Sequence, residues 1–138
     1  MKVFEPKIVV FCCNWYSTAG ADIAGIFKLK IEPYSLMIRT MCSGRVEPTF
    51  VLHAFSSGAD GVMVIGCHPG DCHYESGNYK ARRRILLLKN TLLQLGIEPE
   101  RLRLELISES EGSKLQGLVS GFIDKLTELG PLNIRLTF

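Results

Sequence analysis

Residues 61–95 read GVMVIGCHPGDCHYESGNYKARRRILLLKNTLLQL, and they decide the fold. Gly61 to Ile65 (GVMVI) is a short β-branched apolar run without alternation, the pattern of a strand covered on both faces of a parallel sheet. It opens into Gly66 to Tyr74, where nothing favours a regular element. From about Tyr79 the spacing of Ile85, Leu88, Leu92 and Leu95 predicts a long helix, stopped by Gly96. Arg101 to Ile107 then alternates Leu102, Leu104 and Leu106 with Arg and Glu, which predicts a half-exposed edge strand. Strand, helix and strand in this order call for a right-handed crossover and a parallel sheet.

The same unit extends to both sides. Lys7 to Phe11 (KIVVF) predicts a central strand that stops at Cys12. Ile23, Ala24 and Phe27 predict a short helix over Gly20 to Phe27, and Ser35 to Arg39 (SLMIR) a second strand. Val46, Phe50, Val51, Ala54 and Phe55 mark one face of a further helix, with Gly58 just past its end. Ser108 and Glu111 form a capping box before a last helix whose apolar side carries Leu115, Leu118, Val119, Phe122, Leu126 and Leu129, and Pro131 ends it. Four alternations of strand and helix predict an α/β domain: a small flavodoxin-like or Rossmann-like parallel sheet of about four strands, order 2-1-3-4, with helices on both faces. No repeat or linker interrupts the chain, so residues 1–138 are expected to form one domain.

Apolar residues make up 46% of the sequence and charged residues 22%, a folded composition. The net charge of +2 does not indicate a nucleic-acid partner. Lys80, Arg82, Arg83, Arg84 and Lys89 form a local basic cluster, read as a solvated helix face, with a partner-docking surface as the second reading. No stretch approaches the ~20 apolar residues that cross a bilayer, and no secretory signal opens the chain, so no membrane and a cytoplasmic location are expected. Thiols stay reduced there, and the five cysteines are therefore not expected to be a disulfide framework.

The cysteines fall where the topology makes them meet. Cys12 and Cys13 follow the first strand, Cys42 the second, and Cys67 and Cys72 lie in the loop after the third. All five reach the carboxyl edge of the sheet, where open α/β folds bind ligands. A lone cysteine there would be a small buried hydrophobe, but five together point to metal. A structural zinc site needs four Cys or His ligands, and His68 and His73 could supplement the thiolates, yet the two closely spaced pairs are absent. A 2Fe-2S cluster needs four thiolates, two to each iron, without such pairs. No C-x-x-C supports thioredoxin-type chemistry, and no cysteine is followed by the closing arginine of a phosphatase loop. Ser17 to Gly20 loosely resembles a flavin-phosphate loop. His68, Asp71 and His73 read as groups supporting a metal site or as plain polar loop residues, and Trp15 and Tyr16 as a shield against water or as packing.

Phe11-Cys12-Cys13-Asn14-Trp15, Ala21 to Gly25 (ADIAG), Met41 to Val46 (MCSGRV) and Gly66 to Tyr74 (GCHPGDCHY) together resemble one family. It is the delta (D) subunit of the methyl-viologen-reducing, F420-non-reducing hydrogenase of methanogenic archaea. Gly77 to Lys80 (GNYK) and Leu95 to Leu104 (LGIEPERLRL) extend the likeness over nearly the whole chain. The resemblance implies an iron–sulfur subunit carrying a 2Fe-2S cluster, with no active site of its own. It would link a hydrogenase, through that enzyme's small and large subunits, or a formate dehydrogenase, to the flavin-containing A subunit of heterodisulfide reductase. Members commonly carry a cysteine three positions after the one at Cys13, where this chain has Tyr16. The position of Cys12 is the more replaceable in the family, which implies Cys13, Cys42, Cys67 and Cys72 as ligands, with Cys12 as the substitute. Extended backbone sends Cys12 and Cys13 to opposite sides, which agrees.

Overall fold

The computed structural model describes residues 3–13, 35–108 and 112–134. Along them run β1 (Ile8–Cys13), β2 (Ser35–Thr40), a 3-10 turn (Ser43–Arg45), α1 (Pro48–Ser56), β3 (Gly61–Gly66), α2 (Gly77–Gln94), a second 3-10 turn (Pro99–Arg101), β4 (Leu102–Leu106) and α3 (Gly112–Leu129). The expected helix over residues 20–27, the Ser17 to Gly20 loop, Trp15, Tyr16 and the Glu111 half of the capping box lie outside the described residues.

The four strands form one parallel sheet in the order β2-β1-β3-β4, as the alternation predicts. Its two faces are covered by different helices, because successive right-handed crossovers in one direction keep their helices together. On one face α1 and α2 bury Val51, Phe55, Ile85, Leu88 and Leu92 against Phe11, Val62, Val64 and Leu102. On the other, Leu115, Val119, Phe122 and Leu126 of α3 pack on Ile8, Val10, Met63 and Ile65. Every residue of β3 is buried, which explains its unbroken apolar run.

Three local departures from the sequence pattern have physical causes. β1 continues through Cys12 and Cys13, which pair with Arg39 and Thr40, since a cysteine thiol packs as a small apolar group. Phe50 is exposed, because Pro48 starts α1 and the helix then turns Val51 and Phe55 inward, about 100° and 140° away from Phe50. Leu95 is also exposed, and Ile97 takes the buried place. Gly96 adopts a left-handed φ of 80°. The Ile97 N–H then donates to Leu92 O at 2.9 Å and the Gly96 N–H to Leu93 O at 3.1 Å, closing a Schellman motif.

At the amino edge of the sheet a buried polar bracket ties three connections together. Arg101, 1% exposed, donates to Glu98 Oε2 at 2.7 Å, Asp60 O at 3.1 Å and Gly130 O at 2.8 Å. The Asp60 carboxylate in turn accepts the N–H groups of Lys7 at 2.9 Å and Leu132 at 3.0 Å. The hydrogen bond from Arg101 holds the Glu98 carboxyl below the usual range.

Candidate metal centre

The opposite, carboxyl edge carries the cysteines. Cys13 is the last residue of β1, Cys42 follows β2 by two residues, Cys67 follows β3 directly and Cys72 lies just before α2. All five are thiols; Cys72 is half-buried and the others are buried. Cys12 sits in the core on the α3 face, among Ile8, Val10, Met63 and Ile65. Alternation along β1 sends Cys13 to the other face. There the Cys13 charge acts on both Cys42 and Cys67, and the Cys72 charge likewise. Cys12 and Cys13 therefore lie on opposite faces of the sheet, Cys12 on the α3 face and Cys13 on the face covered by α1 and α2.

Three glycines let the loops close on each other. A Cβ on Gly44 would lie 2.9 Å from Gly77 Cα and from Gly77 O, so the Ser43–Arg45 turn and the start of α2 touch backbone to backbone. A Cβ on Gly77 would collide with Cys42 Sγ and lie 3.3 Å from Cys72 Sγ. A Cβ on Gly66 would lie 2.9 Å from Ser43 Oγ. Any side chain at these positions would push the cysteine loops apart. Two side chains of α2 then hold the loops. Asn78, 5% exposed, donates to His68 O at 2.8 Å and Cys67 O at 3.3 Å, and Arg84 donates to Gly44 O.

The site is electrostatically uneven. Burial pushes the Cys67 thiol up to about 12, with the charges of Cys13 and Cys72 adding to it. Burial also raises Cys42, against the opposing hydrogen bond from the Gly44 N–H at 3.4 Å. Burial pushes Cys72 upward too, but backbone N–H groups of Asn78, Tyr74 and Gly77 outweigh it and leave the thiol below its ordinary value. Cys72 lies against the amino end of an 18-residue helix, where unpaired N–H groups and the helix dipole favour a thiolate.

The sulfurs of Cys42 and Cys72 are 3.9 Å apart. Two thiolates on one tetrahedral metal ion, with metal–sulfur bonds of ~2.3 Å, stand ~3.8 Å apart, so this pair already has the spacing of two ligands on one ion. Among the described residues no three His, Cys, Asp or Glu side chains converge on a common point. The site meets the surface in a groove of about 650 Å³ whose wall includes Met41, Cys42, Arg45, Tyr74, Gly77 and Lys80. A larger groove of about 1000 Å³ runs along β2 and α1, and none of the cysteines lines it.

Of the other residues singled out in the sequence, Asp71 and His73 are exposed and His68 is half-buried. Arg82 and Arg83 are solvated as expected, whereas Arg84 turns inward to Gly44 O. Ser43, Gly44, Gly66, Gly77 and Asn78 shape the site without any periodic signal. Their trace in the sequence was only the glycines flanking each cysteine loop. Among the described residues no helix is long and apolar enough to cross a membrane.

The family described as "Methyl-viologen-reducing hydrogenase, delta subunit" matches residues 8–130. The vhc iron-sulfur D subunit of the F420-non-reducing hydrogenase of Methanococcus voltae is 52% identical over 132 residues, covering 96% of this chain and 92% of that protein. The iron-sulfur D subunit of the F420-non-reducing hydrogenase of Archaeoglobus profundus is 52% identical over 132 residues, 96% of each. A third relative is the A subunit of the ferredoxin/F(420)H(2)-dependent CoB-CoM heterodisulfide reductase of Methanosarcina acetivorans, 44% identical over 92% of this chain but only 16% of that longer protein. With the family matched over nearly all of its length, the chain belongs to the delta subunits of methyl-viologen-reducing hydrogenase.

Proposed function

We propose that this chain is an electron-transfer subunit that holds a 2Fe-2S cluster on Cys13, Cys42, Cys67 and Cys72. The observation that carries the reading is the placing of these four cysteines at one sheet edge, with the Cys42 and Cys72 sulfurs 3.9 Å apart. When bound, the cluster supplies one-electron chemistry at thiolate-ligated iron. The chain's own part is to present the sulfurs, direct backbone N–H groups at Cys42 and Cys72, and exclude water from Cys13 and Cys67. Cys12, across the sheet, supports the α3 core instead.

The two relatives named as iron-sulfur D subunits support an iron–sulfur cofactor. The likeness to a segment of the heterodisulfide reductase A subunit supports that protein as the electron acceptor, because the same kind of domain is there part of one polypeptide with it. Electrons would come from the small and large subunits of a hydrogenase, or from a formate dehydrogenase. The chain would carry no active site of its own and would work in the cytoplasm, docked between redox partners. The test is anaerobic preparation followed by iron, sulfide and zinc analysis and electron paramagnetic resonance of the reduced protein. Two irons and two sulfides per chain, with a signal that appears on one-electron reduction, are expected. Zinc without iron would overturn the reading in favour of a structural zinc module.

A further inference from the structure

We propose that the Ser43 hydroxyl donates a hydrogen bond to a bridging sulfide of the cluster, and so takes part in setting its reduction potential. The inference rests on the cluster reading above and adds a residue that ligand chemistry alone does not single out. Ser43 is 1% exposed, and its Oγ has no hydrogen-bond partner among the described residues. No backbone carbonyl and no cysteine sulfur of theirs accepts from it. Buried hydroxyls in native proteins nearly always have a partner, so an orphan at such a position points to an acceptor that the described residues do not supply.

Its place says which acceptor. Ser43 lies between Cys42, its neighbour in the chain, and Gly66, the residue before Cys67; a Cβ on Gly66 would be 2.9 Å from Ser43 Oγ. The backbone carbonyl beside it is already committed: Ser43 O accepts the Val46 N–H at 3.1 Å. A buried water would need two to four polar partners. Among the described residues the only other orphaned buried side-chain oxygen or nitrogen is Ser35 Oγ, at the far end of β2. A bridging sulfide is an acceptor with no proton of its own, and a hydroxyl aimed at it complements its charge. Hydrogen bonds to cluster sulfurs favour the reduced, more negative state and raise the potential.

The experiment uses the full chain loaded anaerobically, as wild type and as Ser43→Ala, with iron and sulfide quantified first. Voltammetry then reads the potential, and resonance Raman in H2O and D2O reads the bridging and terminal iron–sulfur stretches. Ser43→Ala is expected to keep iron and sulfide and to leave the apo-protein melting midpoint unchanged or raised, because the removed group was unsatisfied. Its potential is expected to fall, and the deuterium shift of the bridging stretches seen in wild type to vanish. An unchanged potential with an unchanged isotope shift would overturn the proposal, as would an isotope shift confined to terminal iron–cysteine stretches. If Ser43→Ala fails to fold, the wild-type isotope shift decides alone, its absence from the bridging modes being a refutation. Wild type that takes up no iron or sulfide would instead refute the cluster reading, and the two failures are thus distinct.

Discussion

Gly77→Ala should separate the folding of this protein from its capacity to hold a cluster. The added Cβ would lie closer than 3.0 Å to Cys42 Sγ and 3.3 Å from Cys72 Sγ. Ordinary contact is about 3.5–4.0 Å, so the Cys42 sulfur must retreat by more than ~0.5 Å. Overpacking of this kind costs about 1–3 kcal/mol, while replacing glycine at the start of a helix returns up to ~1 kcal/mol. The net loss is ~0–2 kcal/mol, a few degrees in melting temperature, and the apo-protein stays folded. Metal ligation tolerates only about 0.2 Å, so the same displacement is ruinous for a site built on the Cys42–Cys72 spacing of 3.9 Å. Bound iron should fall severalfold with circular dichroism unchanged. Gly117→Ala and Gly121→Ala in α3 are the controls: nothing lies within 4 Å of either added Cβ, so each should stabilise the protein by ~0.5–1 kcal/mol and leave iron binding alone. Full iron content and an unaltered visible spectrum in Gly77→Ala would refute the reasoning.

Four further outcomes rest on the same geometry. In the apo-protein, Cys72 should be alkylated at a lower pH than Cys67, measured by mass spectrometry across a pH series. Because the Cys67 thiol is raised from its ordinary 9.0 to about 12, the folded state holds that proton more tightly than the unfolded one; its contribution, ~4 kcal/mol at most, is present below pH 9.0 and lost as pH rises to about 12, visible in urea titrations. Arg101→Met should cost ~2–4 kcal/mol by leaving Asp60 O and Gly130 O without their donor, with no change in the cluster spectrum of the folded fraction. Cys12→Ala should cost ~1 kcal/mol through a small core void and keep its iron, whereas Cys13→Ala should lose it.

The parallel sheet and its order were legible because apolar runs without alternation, separated by helical spacing, leave few topologies. The gathering of the thiols was legible for the same reason: it follows from where the strands end. What shapes the site was not. Val46 and Phe50 carry the same apolar signal, yet one is buried and the other open, since Pro48 fixes where α1 begins. Arg84 sits in a run that reads as solvated and instead reaches Gly44 O. Arg101 reads as the polar half of an alternating edge strand and is 1% exposed. Ser43, Gly77 and Asn78 act through contacts across ~10 to ~40 residues of chain, and periodicity reports only neighbours along one element.

The two ends of the sheet divide the work in a way that suits electron transfer. At the amino edge, Arg101 and Asp60 lock the turns with charged groups whose hydrogen bonds are satisfied within the protein. At the carboxyl edge the polar groups aim inward at sulfur: the Gly44 N–H at Cys42 and the N–H groups of Tyr74, Gly77 and Asn78 at Cys72. Those donors belong to backbone held by α2, which Asn78 and Arg84 tie to both neighbouring loops. Donors fixed in this way need not reorient when the charge at the sulfurs changes, as preorganised dipoles stabilise a charge without reorganisation cost. The half-buried Cys72 receives three of the donors, whereas Cys67 is fully buried and raised mainly by burial. Added negative charge is therefore favoured at Cys72 rather than at Cys67 or Cys42, and Cys72 is the one thiol of the three that is half-buried rather than buried.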